Sequence, residues 1–177
     1  MDLHPPEARP AGVTFAQADA HALPFAAGAF DAVALHFALL WIERPSEALA
    51  ELRRVLAPDG VVLLLAEPDL RARRDEPDTG LGAVLQEAVR RRGGHPAAGA
   101  EAGRWLETAG FRTDLRVTER DWVPVGNLEE TLHELDSLRE AGLLDEARAR
   151  TIAEAERAAA GRRRVLLPVT YGAAWKR

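Results

Sequence analysis

Apolar positions along this chain recur with two periods, and each stretch where one period holds predicts an element. Residues 13–17, VTFAQ, read as a short strand with Asp19 beyond its C-terminal end. The surrounding loop, ADAHALPF (18–25), is broken by Pro24. Residues 30–37, FDAVALHF, form a nearly continuous apolar run, as expected of a parallel strand covered on both faces. Pro45 opens a helix in which Ala48, Leu49, Leu52, Val55 and Leu56 recur at helical spacing, while Glu47, Glu51, Arg53 and Arg54 take other positions. Pro58-Asp59-Gly60 stops it, and VVLLLAE (61–67) reads as a buried strand. Strand, helix and strand in succession make one βαβ unit with a right-handed crossover.

Downstream the pattern turns mainly helical. Residues 68–79 are charged and read as a loop. Leu81, Val84, Leu85, Ala88 and Val89 predict a helix ending before Gly93-Gly94, and a second helix carrying Trp105 and Leu106 ends at Gly110. Residues 111–125 alternate and read as one strand. Asn127 with Glu130 three residues later fits a helix cap, and Leu128, Leu132, Leu135 and Leu138 continue that helix. An Ala-rich helix over about 144–160 and a last strand, VLLPVTYGAAW (165–175), complete the chain. The sum is one α/β domain over 1–177 with helical insertions at 70–110 and 127–160.

Composition narrows the chemistry. The chain has 177 residues, 47% of them apolar, and a net charge of −5, which suits a globular domain. Zero cysteines exclude a disulfide scaffold, a thiol nucleophile and a thiolate metal site. Neither Ser46 nor Ser137 lies in G-x-S-x-G, which argues against an elbow-type serine hydrolase. His4, His21, His95 and His133 show no paired ligand spacing, so no metal is expected. No apolar run approaches the ~18 residues of a membrane span, and the start lacks a secretory pattern, so a cytoplasmic protein is expected. Arginines are scattered among more numerous carboxylates and a dense run such as Arg162-Arg163-Arg164 is short, so no nucleic-acid partner is expected.

The ordered motifs of residues 13–69 resemble the middle of class I S-adenosylmethionine-dependent methyltransferases of the type-11 group. The resemblance rests on Asp19, Leu23-Pro24-Phe25, Phe30-Asp31, and Glu51 through Gly60, with Asp59 where the family has its first glycine. WLETAGF (105–111) and PVTYGAAWKR (168–177) resemble the family's last helix and final strands. The resemblance implies a Rossmann-like sheet, mostly parallel with an antiparallel C-terminal strand, and S-adenosylmethionine as cofactor. It implies that Asp19 accepts a hydrogen bond from the adenine amino group, that the Ala20 N–H donates to the ring, and that His36 lines the pocket near a strand end. Asp2 would hold the ribose hydroxyls. Regions 70–110 and 127–160 would wall the substrate. The cofactor carries the reactive methyl, so no catalytic residue is required or assigned.

The family's glycine-rich turn after its first strand has no counterpart here. Gly80-Leu81-Gly82 follows a loop rather than a strand and is a decoy. A sheet truncated at its N-terminus leaves an apolar edge open for self-association or for a partner chain. Two functions follow: methyl transfer to a small-molecule acceptor, or a noncatalytic module that pairs through its exposed sheet edge. Trp41 is expected in the core, and Glu67 at a solvated strand end.

Overall fold

A computed structural model describes residues 11–118, 122–125 and 127–177. In chain order the elements are β1 (Phe30–His36), a 3₁₀ turn (Leu39–Trp41), α1 (Pro45–Val55), β2 (Leu56–Pro68), β3 (Arg74–Glu76), α2 (Leu81–Arg91), α3 (Ala98–Thr108), β4 (Phe111–Val117), β5 (Val123–Pro124), α4 (Leu128–Glu140), α5 (Glu146–Ala159), β6 (Arg164–Leu166) and β7 (Val169–Lys176). The main sheet has the order β1-β2-β7-β4. β1 runs parallel to β2, and β7 runs antiparallel to both β2 and β4, so β1, β2 and β4 share one direction. This is the mixed α/β sheet, parallel but for its C-terminal strand, that the resemblance implied.

The crossover helix forms as expected except at its end: Leu56 already belongs to β2, and Pro58-Asp59-Gly60 lies inside that strand. Pro45 enters the first turn with its fixed φ, Glu47 faces the positive end of the helix dipole, and Arg53 and Arg54 face the negative end. The helix buries Ala48, Leu49, Leu52 and Val55. Together with Trp105 and Leu106 of α3, that stripe covers one face of the sheet, where Val62, Leu64, Phe111 and Ala174 are buried. Alternation along β2 turns its other side chains to the opposite face, and there Leu63 is 36% and Leu65 56% exposed. The apolar run of β1 was expected to be covered on both faces. Among the described residues only one face of the sheet is covered, and no strand pairs with the outer edge of β1.

A second, smaller core lies beside the sheet. Leu81 and Val84 of α2, Leu135 and Leu138 of α4, and Ile152 of α5 pack together. A three-stranded antiparallel sheet, β3-β6-β5, borders them. The Asn127 cap forms as expected: its side-chain oxygen accepts from the N–H groups of Glu129 and Glu130, and its amide donates to Glu130 Oε1 at 2.9 Å.

Three strand expectations are corrected. Residues 13–17 form no ladder, because a strand exists only beside a partner and none of the described strands lies there. The alternating stretch 111–125 is two strands in different sheets, β4 and β5. The last strand is likewise divided: β6 belongs to the small sheet and β7 to the main one. The break falls at Leu167-Pro168, where Pro168 has no N–H to offer a ladder and its carbonyl accepts from Asp69 N at 2.9 Å.

Candidate functional site

Ligands of open α/β sheets bind beyond the C-terminal ends of the parallel strands, and here that rim is shaped by one buried acid. Glu67, near the end of β2, is 0% exposed. Its carboxylate accepts from Ala38 N at 2.9 Å and Leu39 N at 3.1 Å, and from the backbone of Leu40 as well. It therefore satisfies the open N–H groups of the 3₁₀ turn that follows β1. Burial nevertheless pushes its pKa up, and these three hydrogen bonds only partly offset that. The expectation of a solvated strand end is thus corrected: a carboxylate at a strand terminus has backbone donors to meet when the next loop folds over it.

The loop held by Glu67 is strained. Phe37, directly after β1, has φ 49°, a left-handed conformation rare for a bulky side chain. Its N–H donates to Ala66 O at 2.7 Å, and its ring lies 4.9 Å from that of His36. His36 is exposed at the rim. Trp41 is 36% exposed rather than a core residue, with the Arg92 guanidinium 5.9 Å from its ring. It sits in a short turn whose buried positions are taken by Leu39 and Leu40.

Asp19 reaches this region through a loop strapped along α1. Leu23 N donates to Glu51 at 3.0 Å, and Arg54 donates to the carbonyls of Leu23 and Phe25. Upstream, Asp19 Oδ1 accepts from the His21 N–H at 2.9 Å and lies 2.6 Å from His21 Nδ1. The backbone bond from His21, then its ring, hold the Asp19 carboxyl below its usual pKa, with a smaller contribution from Arg44. The carboxylate stays ionised and exposed, and no hydrogen bond engages its second oxygen among the described residues. The Ala20 N–H has no acceptor among them either. No hydrogen bond joins Asp19 to His36. Asp2 lies outside the described residues.

A cleft of about 720 Å³ opens two residues beyond Glu67, between the two sheets. Asp69, Arg71, Arg74, Val117, Trp122 and Leu166 are among the residues that line it. Strand alternation explains this lining. Arg74 pairs with Leu166, and the β5–β6 register sets Trp122 on the same face. Asp75 faces the other way, into an ion network: Arg163 donates to both Asp75 and Glu156, and Arg73 grips Asp75 at 2.9 Å through two nitrogens. Thr79 adds a hydroxyl to Glu156 at 2.5 Å. The arginine run of 162–164 is thus largely absorbed by structure, since Arg163 is buried and Arg164 pairs with Glu76.

Sequence reasoning missed Glu67, Phe37, Arg74 and Trp122 as members of these sites. Only Trp122, an isolated aromatic following three charged residues, carried any local signal. Gly80-Leu81-Gly82 proves to be a packing element. Gly80 caps α2 with φ 84°, and a Cβ on Gly82 would meet Asp75 Oδ2 at 2.8 Å. Among the described residues, no group of three acidic or histidine side chains is placed to hold a metal, and no helix is long and apolar enough to cross a membrane.

Comparison with known proteins matches residues 3–64 to a family described as a methyltransferase domain. A demethylmenaquinone methyltransferase of Thermus thermophilus is 50% identical over 62 residues, which is 35% of this chain and 28% of that protein. A ubiquinone/menaquinone biosynthesis C-methyltransferase of Hahella chejuensis is 43% identical over 53 residues, 30% of this chain and 21% of that protein. The matched segment thus spans less than a third of these relatives' length. Among solved structures, a candidate methyltransferase from Bacillus halodurans superposes with TM-score 0.58 at 16% identity, over 93% of this chain and 78% of that one. The [4+2]-cyclase SpnF superposes with TM-score 0.52 at 20% identity, over 92% and 55%. At such identities the structures establish the shared fold. The resemblance to class I methyltransferases is borne out, in sequence over residues 3–64 and in fold over most of the chain.

Proposed function

We propose that this chain contributes the adenosine-facing and acceptor-facing part of a cytoplasmic S-adenosylmethionine-dependent methyltransferase acting on a small molecule. One observation carries the reading. The βαβ unit, up to Leu64 of β2, lies within the segment that matches a methyltransferase domain, and an ionised carboxylate with one oxygen unengaged among the described residues precedes it in the same segment. The residues fit the adenosine end of the cofactor: Asp19 offers an unused acceptor oxygen and Ala20 an unused N–H, a donor–acceptor pair of the kind an adenine edge requires. When bound, the cofactor supplies an electrophilic methyl group on a sulfonium. His36 flanks the rim, and Glu67 keeps the loop bearing Phe37 in its strained form, so that the pocket wall is set before ligand arrives. In this reading the regions 70–110 and 127–160 wall the acceptor side, the first through residues such as Arg71, Arg74 and Ala100. Titration calorimetry with S-adenosylmethionine tests the reading. Saturable binding that weakens about tenfold in Asp19→Asn, the loss of roughly 1.4 kcal/mol of a hydrogen bond to a charged group, supports it. Absence of saturable binding overturns it.

A second reading rests on a different observation: among the described residues, the outer edge of β1 is unpaired and the face bearing Leu63 and Leu65 is uncovered. Such an edge is a template for another strand. In this reading the chain is a noncatalytic module completed by a second copy or a partner chain. Sedimentation velocity separates the two: a concentration-dependent dimer without cofactor binding favours pairing, and a monomer that binds cofactor favours the enzyme.

A further inference from the structure

The cleft between the two sheets has a composition that specifies its ligand more closely than the fold does. Its charged lining consists of Arg71, Arg74 and Asp69. Asp69 is occupied in part: Oδ1 accepts from the Arg71 N–H at 3.1 Å and lies 3.8 Å from the Arg71 guanidinium. Arg74 has no hydrogen-bond or ion-pair partner among the described residues, though it stands on a strand beside Glu76, whose carboxylate is taken by Arg164. Among the described residues one positive charge is therefore left over in the cleft, on a planar guanidinium whose donors suit a bidentate anion. Beside it on the same face of the small sheet runs an apolar strip. Trp122 is 37% exposed and Val117 58%, and Leu166 completes the surface. The guanidinium of Arg164 lies 5.6 Å from the Trp122 ring, which it holds in place while paired to Glu76. A volume of about 720 Å³ suits a small organic molecule.

We propose that the cleft binds a small monoanion with a flat apolar body, a carboxylate whose charged group meets Arg74 and whose ring lies against Trp122 and Leu166. This rests on the methyl-transfer reading, in which such a molecule is the acceptor. A cation with no partner among the described residues, at one end of a row that continues through Leu166 to Trp122, selects a ligand with charge at one end only. A neutral ligand leaves Arg74 without a partner, and a polar anion without a ring leaves the apolar strip in water. The chain's net charge of −5 makes this local positive excess a feature of the cleft rather than of the surface.

The test uses the full chain and three probes of one shape: 2-naphthoate, the neutral 2-naphthamide and 2-naphthyl phosphate, each titrated with and without S-adenosylmethionine. Naphthoate is expected to bind saturably and at least tenfold more tightly than the amide. That preference is expected to disappear in Arg74→Gln and to survive in Arg90→Ala, a surface change on α2. Trp122→Ala is expected to weaken naphthoate and naphthamide alike, by about tenfold. Arg74 is exposed, so Arg74→Gln leaves the fold intact, and Arg74→Lys, which keeps the charge without the fork, is expected to restore part of the preference. Equal binding of acid and amide, no saturable binding of either, or an unchanged preference in Arg74→Gln overturns the proposal. Tighter binding of the phosphate than of the carboxylate overturns the choice of anion. S-adenosylmethionine binding without naphthoate selectivity sinks this inference alone. Naphthoate selectivity without S-adenosylmethionine binding supports the cleft and sinks the methyl-transfer reading instead.

Discussion

Beneath the main sheet, Leu49, Leu64, Leu106 and Phe111 are buried among apolar neighbours, whereas beside the small sheet the buried side chains include Glu156 and Arg163. The two regions use different forces. The first gains from removing continuous apolar surface from water, which is non-directional and tolerant of small shifts. The second holds α5 to β3 and β6 through charges that must be paired once buried, because each alone would cost several kcal/mol to desolvate. The βαβ half therefore follows from hydrophobic pattern, and the cap from a few contacts between distant residues. The lesson concerns function too. The rim that the adenosine reading uses belongs to the first region, and the cleft proposed for the acceptor lies on the seam between them.

Four changes would break or sharpen this contrast. The largest effect is expected from Phe111→Ala, which empties a fully buried site of the main core and should cost about 3–5 kcal/mol. Thermal melting should show both regions lost together, since the small sheet is carried on strands continuous with β4 and β7. Next is Arg163→Ala, which leaves Glu156 and Asp75 buried with too few partners and should cost about 3 kcal/mol. Hydrogen exchange should quicken in α4 and α5 while β2 stays protected, and uniform loss of protection would refute the separation of the two cores. Replacing Arg163, Glu156 and Asp75 together by apolar residues of similar size should recover much of that loss.

A smaller effect, about 1–2 kcal/mol at neutral pH, is expected from Glu67→Gln, which turns one acceptor toward the loop into a donor. Its pH dependence carries a sign. The folded pKa of Glu67 is raised, so both states hold the proton in acid, and between its ordinary and elevated values only the unfolded state ionises. Wild-type stability then falls as pH rises through that interval, while Glu67→Gln lacks this contribution. Denaturant unfolding at several pH values should show the gap between them widest in acid and narrowest above the elevated pKa. The smallest effect, about 1 kcal/mol, is expected from Asn127→Ala, which removes the cap of α4. Circular dichroism should register a modest drop in melting temperature, with the main sheet unaffected.

The parts legible in the sequence were those encoded by neighbours. The α1 stripe, the Asn127 cap and the β1–α1–β2 order were all read from residues within a few turns of one another. Asp19 was legible as a residue type in a motif, yet its hydrogen bonds to His21 were not, because an Asx-type turn depends on backbone angles that the letters leave free. Glu67 was misread for a related reason. At the end of an apolar strand a glutamate normally meets water, and only the return of the chain after β1 brings Ala38, Leu39 and Leu40 over it. The division of 111–125 and 165–175 between two sheets was equally hidden, since alternation gives a strand its faces but not its partner.

The amino-acid order by itself determined which segments become helix or strand, which faces are apolar, and that the chain carries a methyltransferase-like segment, because periodicity, caps and ordered motifs act over short spans. Only the tertiary structure decided that Arg163 is a buried anchor bonded to Asp75 88 residues away, and that, among the described residues, Arg74 has no partner in the cleft and one face of the main sheet is uncovered. Each of those outcomes is set by which distant group arrives to satisfy a charge or cover a surface, and that is a property of packing rather than of local sequence.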